Sequence, residues 1–575
     1  MRLRRPAQIV CLTVFLGLLF AAGLPWLRVP DFFLRLDPAL MGITILAARV
    51  IFWAALPAAV VIATAPLVGR AFCGHLCPMG TTVDAADWCV GTKKTPRSAR
   101  GGRAQGSPLQ STASAPPPSD QVNHGGDAPT SGGPHRSSLS PQSSVLSPRH
   151  SVLSTQHSAL MVLAAVIGAA LLGISLVHLA SPLSLITRFY ALVVEPLVRL
   201  AGAGGLDLFR PAFDRLDIRA LTFASVETRQ YATGLFILVL FGGIFAAARL
   251  APRFWCRYLC PSGALLGLAS VRPVIRRRVS DACIQCGQCV RRCPMGAIPS
   301  DRPEATRYSE CIVCGTCMTV CPVEAVSFPA GRGETAPDGI DGSRRRFLGA
   351  GLVGATAAAT CLTGITAPAG KEIEGQVRPP GLLRPPGARP EPDFLARCVR
   401  CGECMTACPT NTLQPIWLTA GFPGLFSPAV TPRRGYCDPR CSRCGDVCPT
   451  GAIQPLSPPE RIWARPGIAV VHRQNCLAWE HQKSCMVCDE VCPYDAIDFR
   501  REPGNPFPVP HVAENRCGGC GYCEHFCPVQ NRPAITVSPM GAMRLSRGRY
   551  ADEGKRQGLQ LRLKPKTGPA GEPSI

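Results

Sequence analysis

Four long apolar runs dominate the first half of the chain, at about 8–27, 40–68, 158–180 and 231–251. A helix needs about 20 apolar residues to cross a hydrocarbon layer, and buried helices of soluble proteins fit these lengths poorly. The pattern predicts a membrane α-helical domain of four spans. Between the second and third runs, residues 95–157 are rich in Ser, Pro, Gly and His. They carry a seven-residue repeat, Ser144–His150 followed by Ser151–His157. Such a composition cannot bury a core and predicts a disordered linker. Its histidines, His124, His135, His150 and His157, read as solvated side chains.

A fifth apolar run, 347–366, is only moderately hydrophobic and rich in Gly and Ala. Ser343-Arg344-Arg345-Arg346-Phe347-Leu348 precedes it, the pattern of a twin-arginine export signal or of a fifth span with positive flanks. Arg2, Arg4 and Arg5 precede the first run. Arg70, Lys93 and Lys94 follow the second, and Arg253, Arg257, Arg272 and Arg276 follow the fourth. By the positive-inside rule these ends face the cytoplasm. Residues 271–330 are then expected in the cytoplasm and residues 371–542 in the periplasm, on the inner membrane of a bacterium.

Twenty-four of the 31 cysteines fall into six four-cysteine units, each ending in Cys-Pro. The first two are Cys283, Cys286, Cys289, Cys293 and Cys311, Cys314, Cys317, Cys321. The next two are Cys398, Cys401, Cys404, Cys408 and Cys437, Cys441, Cys444, Cys448. The last two are Cys476, Cys485, Cys488, Cys492 and Cys517, Cys520, Cys523, Cys527. C-x2-C-x2-C-x3-C-P is the bacterial ferredoxin spacing for [4Fe–4S] clusters. Three thiolates reach one cubane, and the fourth cysteine ligates its neighbour. That predicts one cluster on Cys283, Cys286, Cys289 and Cys321, and another on Cys311, Cys314, Cys317 and Cys293. Gly287, Gly315, Gly402, Gly445 and Gly521 give backbone amides room to approach the sulfurs. A disulfide framework explains no sixfold repeat of one spacing, and paired C-x2-C for zinc leaves the regular third cysteine unexplained.

The expected cofactors are therefore six [4Fe–4S] clusters, in α+β ferredoxin-like two-cluster and four-cluster domains. The domain plan reads 1–94, first helix pair; 95–157, linker; 158–270, second helix pair; and 271–330, two-cluster domain. It continues with 331–370, linker and signal or anchor; 371–542, four-cluster domain; and 543–575, a basic disordered tail. The net charge of +23 does not indicate nucleic acid, because six clusters at roughly −2 to −3 each offset roughly 12–18 of it.

A second cysteine element occurs twice. Phe72-Cys73-Gly74-His75-Leu76-Cys77-Pro78-Met79-Gly80 follows the second run, and Trp255-Cys256-Arg257-Tyr258-Leu259-Cys260-Pro261-Ser262-Gly263 follows the fourth. The match suggests a duplicated two-helix unit. At i, i+4 spacing the two thiols of each share a helix face. The four, Cys73, Cys77, Cys256 and Cys260, are a candidate redox or metal site, a docking point or structural thiols. Cys11 and Cys361 stand alone and read as small apolar core residues.

Residues 1–330 resemble the NapH family of quinol-oxidising membrane ferredoxins, and residues 343–540 resemble the NapG/MauM family of exported ferredoxins. The first resemblance implies quinol as substrate and a quinone-pool partner. The second implies a periplasmic reductase or cytochrome as acceptor, of the nitrate-reductase type. It also implies exchange of fourth cysteines between outer and between inner units. That would join Cys398, Cys401, Cys404 to Cys527; Cys517, Cys520, Cys523 to Cys408; Cys437, Cys441, Cys444 to Cys492; and Cys476, Cys485, Cys488 to Cys448. His178 and Glu195 are candidates for handling quinol protons, with ordinary interfacial residues as the alternative. The expected role is electron transfer rather than a stand-alone catalytic subunit, since no nucleotide, flavin or molybdopterin motif occurs. A regulatory or maturation role for a metalloenzyme is the alternative.

Overall fold

The computed structural model describes residues 4–23, 31–90, 155–331, 344–362, 372–373, 376–377, 382–529 and 531–565. The expected linker up to residue 154, Ser343 and residues 566–575 lie outside the described residues, as does the side chain of Cys361.

The apolar runs are cut differently from the four-span expectation. Arg49 adopts a left-handed backbone at φ 52°. It splits the second run into Pro38–Ala48 and Leu56–Val68, joined by the turn Trp53–Ala55. Asp37 starts the first of these, its carboxylate accepting the Ala39 and Leu40 N–H groups. The third run stops at Leu171. Pro182–Arg215 forms a helix of 34 residues, the one helix among the described residues long and apolar enough to cross a membrane. Pro38–Ala48, Trp53–Val68, Ser158–Leu171 and Gly234–Arg249 are shorter apolar helices. The long helix widens into a π turn at Tyr190–Val194. Pro196, just beyond that turn, has no N–H to return to the carbonyl four residues back.

Two helices fix the ends of the bundle. Arg4–Phe20 starts beside the first C-x3-C-P element, where Gln8 Nε2 donates to the Gly74 carbonyl at 3.1 Å. It ends at the turn Ala21–Gly23, which touches the helix Glu403–Thr406. Thr155–Leu171 starts near Met295 and Ser309, with which Ala159 and Leu160 line one cavity. Just beyond its end, the Ser175 carbonyl accepts Arg400 Nη1 at 3.3 Å. The ferredoxin part at 271–330 and the C-terminal ferredoxin part at 382–565 therefore dock at opposite ends of one bundle. Arg344–Leu362 packs along Thr155–Leu171. A Cβ added at Gly354 would lie 1.8 Å from the Ala165 carbonyl oxygen, so the two backbones meet where only glycine fits.

The cysteine units build one arrangement three times. One-turn helices pack in pairs: Gln288–Arg291 with Thr316–Thr319, Glu403–Thr406 with Arg443–Asp446, and Val487–Glu490 with Tyr522–His525. Antiparallel two-stranded ribbons flank them, among them Arg278–Val279 with Val326–Ser327 and Ile468–Val471 with Ile535–Ser538. The expectation of a disordered tail from 543 is corrected as far as Pro565. Tyr550–Arg556 is helical, and Met543, Tyr550, Leu559 and Leu561 are buried in one core with Cys517, Cys520 and Cys523. Apolar side chains spaced among the basic ones supply that core.

Candidate functional site

In the C-x2-C loops the residue before the second cysteine is left-handed, at Gln285 (φ 51°), Val313 (φ 52°) and Arg400 (φ 51°). This bend turns successive amides toward the inside of the loop, a concavity suited to an anion. Gly402 follows at φ 93° and starts its one-turn helix. Amides also point at the fourth cysteine of several units. Ala297 N–H meets Cys293 Sγ at 3.3 Å, Ala325 meets Cys321 at 3.3 Å and Ala496 meets Cys492 at 3.4 Å.

Cavities enclosed by four cysteines show which units share a site. One of about 370 Å³ is lined by Cys311, Cys314, Cys317 and Cys293, as the ferredoxin spacing predicts. In the C-terminal part the outer-and-inner pairing is overturned. Cys398, Cys401 and Cys404 share about 370 Å³ with Cys448. Cys517, Cys520 and Cys523 share about 300 Å³ with Cys492, and Cys476, Cys485 and Cys488 share about 400 Å³ with Cys527. Cys408 lies within electrostatic reach of Cys437, Cys441 and Cys444. Exchange therefore runs between neighbouring units, because the paired one-turn helices bring those units face to face. Among the described residues no three His, Cys, Asp or Glu side chains converge closely enough for a single metal ion. Thiols around one zinc would sit about 4 Å apart, closer than any of these sets converges among the described residues.

Burial pushes the thiols up: Cys311 to about 12, Cys488 to about 12 and Cys437 to about 11. Free thiols there stay protonated, so loading metal must release protons. Cations compensate the sulfurs. Arg461 Nη2 donates to Cys437 Sγ at 3.1 Å, and Arg277 Nη2 to Cys289 Sγ at 3.5 Å. The Cys437 N–H donates to the Cys520 carbonyl at 2.8 Å, which joins the two C-terminal modules.

The C-x3-C-P elements do not place both thiols on one helix. Ala71–His75 ends before Cys77 and Phe254–Tyr258 before Cys260, because Pro78 and Pro261 each open a new helix. Cys260 caps its helix, Sγ accepting the Gly263 N–H at 3.2 Å. Cys73 packs against the Met295, Ala297 and Ile312 core of the first ferredoxin part, which Cys293, Cys311 and Cys314 also touch. Cys11 is buried nearby and donates to the Leu76 carbonyl at 2.9 Å.

At the other end His178 and Glu195 are both buried against the C-terminal part. His178 Nδ1 faces the Ser175 carbonyl at 3.1 Å, and the His178 carbonyl accepts Arg188 Nη2 at 3.0 Å. Glu195 pairs with Arg199 and Arg229, and Arg229 donates to the Thr406 carbonyl. A buried polar chain, missed in the sequence, crosses between the two ends. Ser262 Oγ and Ser181 Oγ donate to Asp37, Ser181 Oγ accepts the Ser184 N–H at 3.3 Å, and Ser184 Oγ donates to the Val399 carbonyl at 2.6 Å. The available signal was small hydroxyls and one carboxylate beside otherwise apolar runs.

The domain family described as "4Fe-4S binding domain" matches residues 50–96 and again 233–280, the two C-x3-C-P regions. A "4Fe-4S dicluster domain" family matches 282–326, a second such family matches 483–531, and another "4Fe-4S binding domain" family matches 394–414. The methylamine utilization ferredoxin-type protein MauM of Methylorubrum extorquens is 37% identical over 202 residues, 34% of this chain and 89% of that protein. The ferredoxin-type protein NapG of Escherichia coli is 35% identical over 166 residues, 28% of this chain and 71% of that protein. The ferredoxin-type protein NapF of Haemophilus influenzae is 36% identical over 160 residues, 28% of this chain and 80% of that protein. The chain is an iron–sulfur electron-transfer protein and, through the 34% of its length that aligns with MauM, belongs to the MauM/NapG ferredoxin-type family.

Proposed function

We propose that the chain draws electrons from a membrane hydroquinone and delivers them to an acceptor outside the cytoplasm, of the periplasmic-reductase class. The observation that supports this most is the docking of two ferredoxin parts at opposite ends of one apolar bundle. In this reading the membrane part is of the NapH type, fused to a NapG/MauM-type domain, and Arg344–Leu362 is the segment that carries the chain across. Its close packing on Thr155–Leu171 suits an anchor that stays in place.

Six [4Fe–4S] clusters are assigned to the 24 cysteines in the exchanged sets above. When bound, such clusters supply one-electron chemistry, which suits division of a two-electron donor. The protein's own residues do the rest. Left-handed loops aim amides at the sulfurs, Arg277 and Arg461 offset their charge, and the Tyr550, Leu559 and Leu561 core keeps water from the last sets. Gly402 seats the Cys398–Cys408 unit on the π turn, where a Cβ would lie 3.5 Å from Ala191 and Leu192. His178 and Glu195 are buried at that junction, Glu195 paired with Arg229.

The protein reconstituted in vesicles and given menaquinol or ubiquinol should show cluster reduction by EPR. Absence of reduction, with a partner metalloenzyme losing its metal when the protein is deleted, would instead favour a maturation role.

A further inference from the structure

A cavity of about 450 Å³ lies where the bundle meets the first ferredoxin part. It differs from the cluster sockets: among the described residues Cys256 is the one cysteine in its wall. Its volume falls in the range of about 300–1,000 Å³ usual for small-molecule sites, which are mostly apolar with a few placed polar groups. Part of the wall is apolar. Leu160 comes from the helix Thr155–Leu171, and Ala264 and Leu268 come from the helix Pro261–Ala269. Leu268 is 40% exposed, so this part of the wall reaches the outer surface of the bundle.

Another part is polar. Arg70, Arg257 and Glu310 line it, and Arg70 and Glu310 are buried. Both arginines turn onto the ferredoxin part. Arg70 Nη1 donates to the Ser309 carbonyl at 2.9 Å, and a Cβ added at Gly296 would lie 2.6 Å from Arg257 Nη2. The Nε–H of each arginine is buried without an acceptor. A ligand oxygen that accepts from them removes the cost of burying an unbonded donor. The Glu310 carboxyl is an acceptor in the same wall. The cavity therefore suits a small ring whose oxygens both donate and accept, carried on an apolar tail. Met295 also lines it and belongs to the core that Cys293 and Cys311 touch, and Glu310 directly precedes Cys311. An occupant would lie about one side chain away from the Cys311 set.

We propose that this cavity is the hydroquinone site, with the ring oxygens among Arg70, Arg257 and Glu310 and an isoprenoid tail leaving past Leu268. The proposal rests on the electron-transfer reading above and gives its donor a place. A hydroquinone hydroxyl donates to the Glu310 carboxyl and accepts from an arginine, whereas a lipid phosphate only accepts and would face that carboxyl unpaired. On oxidation both O–H bonds of the hydroquinone break. Its two electrons go singly to the oxidised Cys311 set, which hands the first to a neighbouring set before taking the second. Both protons leave to water around the first ferredoxin part, and the quinone departs along the tail's route.

The test is photolabelling of the full-length protein in vesicles with an azidoquinone carrying a short isoprenoid tail, followed by peptide mapping. Label within 155–161, 256–268 or 295–310, displaced by menaquinol, is expected. Label confined to other segments, or label there that menaquinol does not displace, would overturn the proposal. Ala264→Phe fills the cavity and should slow cluster reduction by menaquinol by about tenfold or more, with iron content and the dithionite-reduced EPR signals unchanged. An unchanged rate would overturn the proposal as well. Should that variant fail to accumulate, Leu268→Trp at the rim replaces it, and labelling of the native chain decides in either case. Displaceable label in these segments without cluster reduction would sink the electron-transfer reading and leave the binding site standing. Cluster reduction with label elsewhere would do the reverse.

Discussion

The two ferredoxin parts use one motif and protect it differently. In the first part no cysteine is fully buried and Cys286 is exposed. In the C-terminal part Cys398, Cys401, Cys408, Cys476, Cys517, Cys520 and Cys523 are buried. The spacing supplies the ligands in both cases, and the surroundings decide access. The first part has a short ribbon and one face on the bundle, whereas the second adds the Tyr550–Leu561 segment and the seat at Ala191 and Leu192. One motif therefore gives a more open set at one end of the bundle and a more deeply covered one at the other.

The comparison breaks most visibly on removal of a ligand. Cys520→Ser deletes a ligand that is also core, so more than about four iron should be lost and residues 460–565 should become protease-sensitive. Cys286→Ser should lose about four iron and leave the rest folded. Equal behaviour in iron analysis and proteolysis would erase the contrast.

A smaller effect sits on the clasp of the C-terminal part. Arg384 and Arg544 both pair with Glu391, at 2.5 and 2.8 Å. Burial alone would raise the Glu391 carboxyl, but Arg384 and then Arg544 hold it below its ordinary 4.5. A carboxyl held low stabilises the fold above about pH 4.5, and that stability is lost as pH falls through the folded value. Glu391→Gln should cost about 3 kcal/mol at pH 7 and flatten the acid dependence of the C-terminal melting step, leaving the first part unmoved. Calorimetry on both variants between pH 7 and 4 reads this.

Gly354→Leu tests the segment that joins the two parts. With the Ala165 carbonyl 1.8 Å from the new Cβ, the packing should weaken by about 1–3 kcal/mol or more. Cross-linking between cysteines placed on the two helices should fall. Ser184→Ala leaves the Val399 carbonyl and Arg188 short of a partner and should cost about 1–2 kcal/mol. Hydrogen exchange should rise around Val399 and stay constant around Ile312.

Much of this contrast was legible beforehand, though not its assembly. The cysteine units and their proline stops are local signals, so their positions, and the return of Cys293 to the Cys311 set, were read directly. The C-terminal pairing was not, because the spacing is silent on which neighbour faces a loop, and the contact of Glu403–Thr406 with Arg443–Asp446 decides it. Run lengths missed the break at Arg49, where a left-handed residue interrupts an otherwise apolar stretch. They also passed over Pro182–Arg215, whose Glu195, Arg188 and Arg199 dilute its hydropathy but find partners on folding. Arg70 and Arg253 looked like topology signals. That Arg70 lies over Gly263 and Arg253 over Gly80, each on the other C-x3-C-P element, appears only in three dimensions.

The most direct measurement is freeze-quench EPR of the full-length protein in sealed vesicles after mixing with menaquinol. The account predicts reduced signals from the Cys311 set first and then from the sets of the C-terminal part. Reduction confined to the first part at all times would contradict it.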